Sequence, residues 1–259
     1  MNDLIATLTQ LSGLGQDLLW TGFLVLLRVG AAMALLPAFG EQSVPVRVRL
    51  VLALAFTAIV APAVATEVVP LAGSIALPLA TEVMAGLIIG IGLRLFIHAL
   101  QIAGAIAAQA ASLSQLFAGA GAEPQPAIGN LLTMAGLALA VMAGLHVRMA
   151  ELFIQSYQVF PAGRLPNSAD LADWGLFQIG RVFSLGFVLA SPFVIASLIY
   201  NVALGIINRA MPQLMVAFVG APALTLGGLA LLAIVTPLGL MLWSQAFDAF
   251  LAAPFEVAP

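Results

Sequence analysis

The sequence predicts an all-α integral membrane protein, with about six long hydrophobic helices arranged in kinked hairpins. Hydrophobic residues make up 63% of the 259 residues and charged residues 7%, whereas about 25% are charged in an ordinary soluble domain. Between Val182 and Phe247 there is a single charge, on Arg209. Pro192 and Pro237 fall within apolar runs and would bend the helices that contain them.

Six apolar runs, separated by proline, glycine and charged residues, are candidate membrane spans. A transmembrane helix needs about 20 mostly apolar residues. The runs cover residues 17–36, 46–65, 77–100, 128–148, 180–207 and 216–244. Pro37 would stop the first helix, and Pro45 would precede the second. We therefore expect one membrane domain over residues 1–259.

Two connections are long, and they differ in composition. Residues 155–174 are polar and contain two prolines, which predicts an aqueous loop. Residues 103–125 are rich in alanine and glycine. This composition suits backbone that is buried in protein or lines a cavity, and it equally suits a small-residue helix packed tightly on its neighbours.

The positive charges in the loops do not predict an orientation. With the N-terminus inside, three arginines fall in inner loops and three in outer loops, so the positive-inside rule gives a tie. The inner residues are Arg148, Arg164 and Arg181, and the outer ones are Arg47, Arg49 and Arg209. The tie favours helices that are not arranged as ordinary bilayer spans.

Several functional classes find no support in the sequence. The chain has no cysteine, which excludes disulfides, thiolate metal sites and a cysteine nucleophile. Its net charge is −3 and no basic patch suggests nucleic acid. His98 and His146 lack the spacing of metal ligands. We therefore expect no catalytic residues, no metal site and no cofactor.

Charged residues within the spans carry more information, because a charge at mid-bilayer costs at least about 2.5–3.5 kcal/mol. Arg28 lies in the middle of the first span, which favours a buried contact. Arg94 lies near a span end, where a contact and snorkelling to a headgroup are equally compatible with the pattern. Glu82 precedes Arg94 by a little over three helical turns, so the two do not touch on one helix. Either their partners lie elsewhere or the arginines face water. Gly86 and Gly90 predict close helix packing.

The motifs resemble the FliR family of flagellar export-gate proteins, which is related to a component of virulence type III secretion systems. Leu-Arg-Val-Gly at 27–30, Leu-Pro-Ala-Phe-Gly at 36–40 and Val-Pro-Val-Arg-Val-Arg-Leu at 44–50 are similar to the family's opening. Further similar motifs follow in order at 82–90, 103–104, 190–192, 201 and 208–213. The resemblance covers roughly residues 15–245.

The resemblance implies a P-like part, about residues 1–179, followed by a Q-like helical hairpin, about residues 180–247. Such a chain would join P-type and Q-type subunits in a pore of the inner (cell) membrane, at the flagellar basal body. B-type and A-type export proteins, membrane lipid and exported unfolded proteins would be its other partners. ATP hydrolysis and proton-motive force would be used elsewhere in the machine.

The resemblance also implies a plug loop, about residues 105–122, that closes the pore. Its expected members are Gln109, Ser112, Leu113, Leu116, Phe117, Gly119 and Gly121. Helix and subunit contacts are expected at Arg28, Pro37, Pro45, Gly86, Gly90, Arg94, Asn201, Arg209, Pro212 and Gln213. The chain departs from the family's pattern at Ala105, at 109–111 and at Glu123.

Two other functions stay open at this point. One is the homologous subunit of a virulence type III secretion system. The other is a small-molecule permease, which would need inverted repeats, discontinuous helices and membrane-embedded coupling acids. Embedded acids are nearly absent from the spans, and this favours the export gate.

Overall fold

The computed structural model describes residues 2–41, 43–68, 75–111, 127–211 and 216–256. Within those residues the chain forms seven helices and no strand. The helices are α1 (Asn2–Met33), α2 (Val46–Ala63), α3 (Ala76–Ala111), α4 (Ala127–Met142), α5 (Leu145–Val159), α6 (Ser168–Ala210) and α7 (Val216–Ala252). The predicted all-α fold is confirmed.

The helices also agree with the predicted number of spans. By length and composition, five helices in the described part of the chain could cross a membrane, or six if α4 and α5 form one bent span. Gly144 lies between them with a φ of 81°, a left-handed conformation that glycine adopts without a steric penalty.

The predicted aqueous loop at 155–174 is wrong over most of its length. α5 continues to Val159 and α6 begins at Ser168, so only residues 160–167 lie outside a helix. Part of the polar composition belongs to a helix cap, because the Asn167 side-chain oxygen accepts a hydrogen bond from the Ala169 N–H at 3.1 Å. Another part belongs to buried polar residues of α5.

The segment predicted as a plug loop, about residues 105–122, is helical over residues 105–111. α3 continues to Ala111, so Gln109 is helical and exposed. Residues 103–111 thus form a small-residue helix that packs tightly on its neighbour, as one of the two alternatives predicts. A methyl group on Gly104 would collide with the backbone of Gly129 in α4. The remaining predicted members (Ser112, Leu113, Leu116, Phe117, Gly119, Gly121) lie outside the described residues.

The first of two compact units comprises Met1–Arg94, Val141–Leu176 and Leu251–Pro259. α2 packs against both α1 and α5 in this unit. The Phe56 ring of α2 meets the rings of Phe39 and Phe153 edge to face, at centroid distances of 6.2 and 6.0 Å. Such edge-to-face contacts are a favoured geometry for aromatic pairs.

The second unit comprises Leu95–Ala140 and Phe177–Phe250. α6 and α7 run antiparallel in it, as two contacts show. Arg181 donates a hydrogen bond to the Ala246 carbonyl at 3.1 Å, and a methyl group on Gly239 would contact Leu189. The helical hairpin predicted around Arg209 is therefore present, although the connection at 212–215 lies outside the described residues.

Aromatic rings fill the core of the second unit. Trp243 stacks on Phe247 with centroids 5.1 Å apart, and its indole N–H donates to the Phe96 carbonyl at 2.8 Å. Phe96 also contacts the ring of Phe250. The Arg181 guanidinium lies 5.6 Å from the Phe96 ring centre. These contacts anchor the start of α6 and the end of α7 to α3.

The distal half of the hairpin is largely uncovered. Between Asn201 and Met211 every side chain of α6 is exposed except that of Leu204, which is half-buried. In α7 only 6% of an apolar 18-residue stretch within Leu226–Ala252 is buried. Large aliphatic side chains such as Ile206 (65% exposed) lie on this surface. A surface of this kind requires lipid or another protein chain around it.

Candidate functional site

Arg28 and Glu82 form an ion pair in the core of the first unit. The arginine lies on α1 and the glutamate on α3, and their exposed fractions are 1% and 0%. Arg28 Nε donates to Glu82 Oε2 at 2.8 Å, and Nη2 donates to Oε1 at 2.9 Å. Two parallel bonds of this kind are the strongest arrangement for an arginine and a carboxylate.

The α5 helix and the residue after it complete the coordination of this pair. Arg28 Nη1 donates to Ser156 Oγ at 2.9 Å, and Nη2 donates to the Phe160 carbonyl at 2.7 Å. The Tyr157 hydroxyl donates to Glu82 Oε2 at 2.9 Å. The guanidinium carbon lies 3.5 Å from the centre of the Tyr157 ring.

This arrangement explains how two charges persist in an apolar core. Burial removes several kcal/mol of hydration from each ion, and only close pairing with further hydrogen bonds offsets that loss. Here the donors and acceptors come from three helices that are far apart in sequence. The cluster therefore stabilises one arrangement of α1, α3 and α5, and its groups are occupied by one another.

Two glycines allow α1 and α3 to approach closely at this point. A methyl group on Gly86 would collide with the Arg28 carbonyl oxygen and with the Ala31 side chain. One on Gly90 would lie 2.9 Å from the Leu35 Cβ atom. The close packing predicted for both glycines is what the structure contains, and it brings Glu82 within reach of Arg28.

Arg94 is paired with an acid that the sequence analysis did not single out. Its Nη1 donates to a carboxylate oxygen of Glu41, which lies between α1 and α2. Arg49 donates to the backbone carbonyls of Glu41 and Val44 at 3.2 and 3.0 Å. The two arginines thus stabilise the connection before α2.

The two predicted prolines flank this connection. Pro37 is buried shortly after the end of α1, and Pro45 is the residue immediately before the first turn of α2. A proline suits a helix start because its missing N–H would have no helical partner there. Their expected roles in subunit contacts stay predictions.

The connection at 160–167 is attached to α3 and to the C-terminal segment. Its Gly163 N–H donates to Thr81 Oγ1 at 3.0 Å. Phe160 meets the Phe255 ring edge to face at 5.0 Å. The Trp174 indole N–H donates to the Pro254 carbonyl at 2.8 Å. The Phe160 carbonyl also accepts a hydrogen bond from Arg28. Phe160 therefore links the C-terminal segment to the ion pair.

The remaining predicted contact residues lie on the distal hairpin, away from the ion pair in sequence. Asn201 and Arg209 are exposed on α6. The Asn201 amide donates to Ser197 Oγ at 3.3 Å. Pro212 and Gln213 lie outside the described residues. The distal hairpin is an exposed candidate surface, whereas the ion pair is buried within the first unit.

In the described part of the chain, no group of three or more His, Cys, Asp or Glu side chains is placed to hold a metal ion. His98 lies on α3, where Nδ1 is 2.8 Å from the Gln101 side-chain oxygen. This contact joins two residues of a single helix one turn apart.

The α5 side of the ion pair and the role of Glu41 are not predicted from the sequence. Ser156 and Tyr157 fall within the predicted aqueous loop, although both are buried and hydrogen-bonded. A usable signal was present, because α5 carries buried apolar residues at helical spacing, including Leu145, Met149, Leu152 and Phe153.

Comparison with known proteins gives consistent matches over most of the chain. "Flagellar biosynthetic protein FliR" of Caulobacter vibrioides is 34% identical over 229 residues, covering 86% of this chain and 91% of the relative. The Escherichia coli protein of that name is 31% identical over 220 residues, covering 83% and 84%. The family model described as "Bacterial export proteins, family 1" matches residues 19–250. The chain therefore belongs to this family of bacterial export proteins.

Proposed function

We propose that this chain is a subunit of the flagellar type III protein export gate. The relatives share its length almost completely and carry a flagellar biosynthetic name. In the part of the chain that the structure describes, five helices, or six if α4 and α5 form one span, are long and apolar enough to cross a membrane, which supports a membrane location. The proposed location is the inner membrane at the flagellar basal body, where the gate would pass unfolded flagellar proteins.

The uncovered hairpin is the observation that carries an assembly function. α6 and α7 expose large aliphatic side chains on several faces. Only 6% of an apolar 18-residue stretch of α7 is buried. Helices with this exposure are completed by lipid and by helices of other chains. In the proposed gate those helices belong to P-type and Q-type subunits, with B-type and A-type proteins as further partners.

The first unit would act as the fixed part of the subunit. In this unit Arg28 and Glu82 form hydrogen bonds with each other, and Glu82 also accepts one from Tyr157. Such a cluster supports a stable subunit shape, and it leaves the acid engaged with a cation. Glu82 is therefore a poor candidate for the coupling acid of a permease.

The pore plug in this proposal is the segment after α3. α3 ends at Ala111 with Gln109 exposed, and Ser112 to Gly121 follow directly. The resemblance assigns the plug to this position. Phe117 and Leu116 would be its bulky members, and alanine and glycine on either side would allow the backbone to bend.

A deletion strain tests the proposed function. We expect cells without this chain to make no filament and to secrete no flagellar subunits, and a plasmid copy of the chain to restore both. Filament length by microscopy and subunits in the culture medium are the measurements. Normal swimming and secretion in the deletion strain would contradict a flagellar function. A defect confined to secretion of virulence proteins would favour the other type III system.

A further inference from the structure

A cavity of about 190 Å³ lies in the first unit, between the end of α5, the start of α6 and the C-terminal segment. Three aromatic rings line it, those of Phe160, Trp174 and Phe255. Among the described residues, its polar side chains are Asn167 and Asp170, and aliphatic side chains complete the lining. Aromatic surface and one carboxylate therefore meet in a single cavity, which we call the aromatic cavity.

The rings are held by contacts with one another and with the backbone. Phe160 and Phe255 meet edge to face at 5.0 Å, and the Trp174 indole N–H donates to the Pro254 carbonyl at 2.8 Å. Phe160 and Trp174 are only 9% and 8% exposed. These contacts fix the aromatic walls, so little of the protein needs to be ordered when a ligand binds.

Asp170 gives the aromatic cavity its charge. It is exposed in the first turn of α6, and within the described residues it belongs to no ion pair. Two further acids adjoin lining residues in sequence, since Asp173 precedes Trp174 and Glu256 follows Phe255. The base closest to them in sequence is on the 160–167 connection and does not line the cavity. Acids therefore predominate beside the cavity.

Other kinds of occupant suit only part of this lining. An anion would be repelled by Asp170. An acyl chain would cover the rings, but it would take water from the carboxylate without replacing it. Water would hydrate the carboxylate and leave the apolar wall wetted. An alkylammonium or alkylguanidinium ion suits both parts, because its charge is attracted to aromatic faces and to the carboxylate while its stem covers apolar surface.

We propose that the aromatic cavity binds an organic cation, an ammonium or guanidinium group on a short alkyl stem. A soluble amine and the amine headgroup of phosphatidylethanolamine both carry this chemistry. The site is independent of the proposed export function, and either can be correct without the other.

Fluorine NMR of the full-length chain in detergent tests the proposal. The chain has three tryptophans, Trp20, Trp174 and Trp243, so fluorine-labelled tryptophan gives one signal for each. Trp174→Phe identifies the signal from the cavity. The probe is n-butylguanidinium chloride, and Trp20 on α1 is the internal reference.

We expect n-butylguanidinium to shift the Trp174 signal saturably and to leave Trp20 unchanged. Asp170→Asn should weaken binding about threefold or more, because it removes the charge of an exposed ion pair. Phe255→Leu should weaken it to a similar extent by removing one ring. The matched control is Asp173→Asn, which should bind like wild type because Asp173 does not line the cavity. The anion n-pentanoate and the neutral n-pentanol should not bind.

Two short-chain lipids distinguish the sources of the cation. Dihexanoyl phosphatidylethanolamine and dihexanoyl phosphatidylglycerol have the same acyl chains and differ in their headgroups. A Trp174 shift with the first lipid alone would support the proposal and identify a lipid headgroup. A shift with n-butylguanidinium and with neither lipid would support it and identify a soluble amine. Equal shifts with both lipids would mean that acyl chains occupy the cavity, which would overturn it.

Three further results would overturn the proposal. The first is no saturable Trp174 shift with n-butylguanidinium, or an equal shift of Trp20. The second is equal affinity in Asp170→Asn and wild type. The third is saturable binding of n-pentanol, which would show that apolar surface alone recognises the ligand. If Phe255→Leu fails to fold, Asp170→Asn still decides, because it changes an exposed side chain.

Discussion

At the scale of single residues, Arg28 determines the most about the first unit. It lies in an apolar span and is 1% exposed, yet it makes four hydrogen bonds through three nitrogens. These bonds reach Glu82, Ser156 and the Phe160 carbonyl. Its importance is that removing it changes the environment of several helices at once.

Removal of one partner of the ion pair should be far more harmful than removal of both. Arg28→Leu leaves Glu82 buried without its cation, which we expect to cost about 3–5 kcal/mol. The double variant Arg28→Leu/Glu82→Leu should recover much of that loss. Each variant is heated, and the remaining monodisperse protein is measured by size-exclusion chromatography. The amounts left in the single and double variants are then compared.

Arg47→Leu is the control, because Arg47 is exposed near the start of α2. It should unfold at the wild-type temperature. If the single and double variants lose equal stability, the loss comes from the change in side-chain shape. The uncompensated charge then contributes little.

Gly86 and Gly30 give a second test at this scale. Gly86→Ala should destabilise the chain by about 1–3 kcal/mol, because the new methyl group would collide with the Arg28 backbone. Gly30→Ala should be neutral or stabilising, since nothing lies within 4 Å of that position and alanine favours a helix. The same heating assay applies, and an equal response of the two variants would contradict the close approach of α1 and α3.

At the scale of elements, the connection after α5 depends on the C-terminal segment. Trp174 binds the Pro254 carbonyl, and Phe255 packs on Phe160. Trp174→Phe removes that hydrogen bond, which contributes about 0.5–1.5 kcal/mol. We expect carboxypeptidase to remove the last residues of this variant several times faster than those of wild type.

Trp20→Phe is the control for this experiment, because Trp20 lies on α1 and contacts the ring of Phe23. Its carboxypeptidase rate should equal that of wild type. Identical rates for Trp174→Phe and wild type would show that the indole bond does not hold the segment in place.

Sequence patterns predicted the elements better than their contacts. The apolar runs identified the spans because hydrophobic length is a local property. The pairing of Arg28 with Glu82 joins residues 54 positions apart on different helices, and a single sequence contains no information on that pairing. From the sequence alone, it follows only that a charge within an apolar span needs a partner or water.

The error at 155–174 has a physical cause. Polar residues indicate water only when nothing else satisfies them, and Ser156 and Tyr157 are satisfied by a buried ion pair. Asn167 is polar because it caps α6. The composition correctly indicates that these side chains have polar partners. It does not show that those partners are protein groups and not water.

At the scale of the whole molecule, the proposed gate needs a closed state. Phe117, which lies outside the described residues, is the bulkiest predicted member of the plug. Phe117→Ala should raise the ion leak across membranes that contain the assembled gate, because a smaller side chain closes the pore less completely. Leu165→Ala, an exposed change in the 160–167 connection, should leave the leak unchanged. A wild-type leak in Phe117→Ala would remove the plug assignment.

In the proposed function, this chain works as one subunit of a larger helical assembly. Its exposed hairpin indicates that the chain alone leaves extensive apolar surface to be covered. The most direct measurement is the mass and composition of the particle that a tagged chain forms when it is extracted from native membranes in mild detergent. We predict one stable complex that contains P-type and Q-type export subunits. A monodisperse particle containing only this chain would show that it is not a subunit of such a complex.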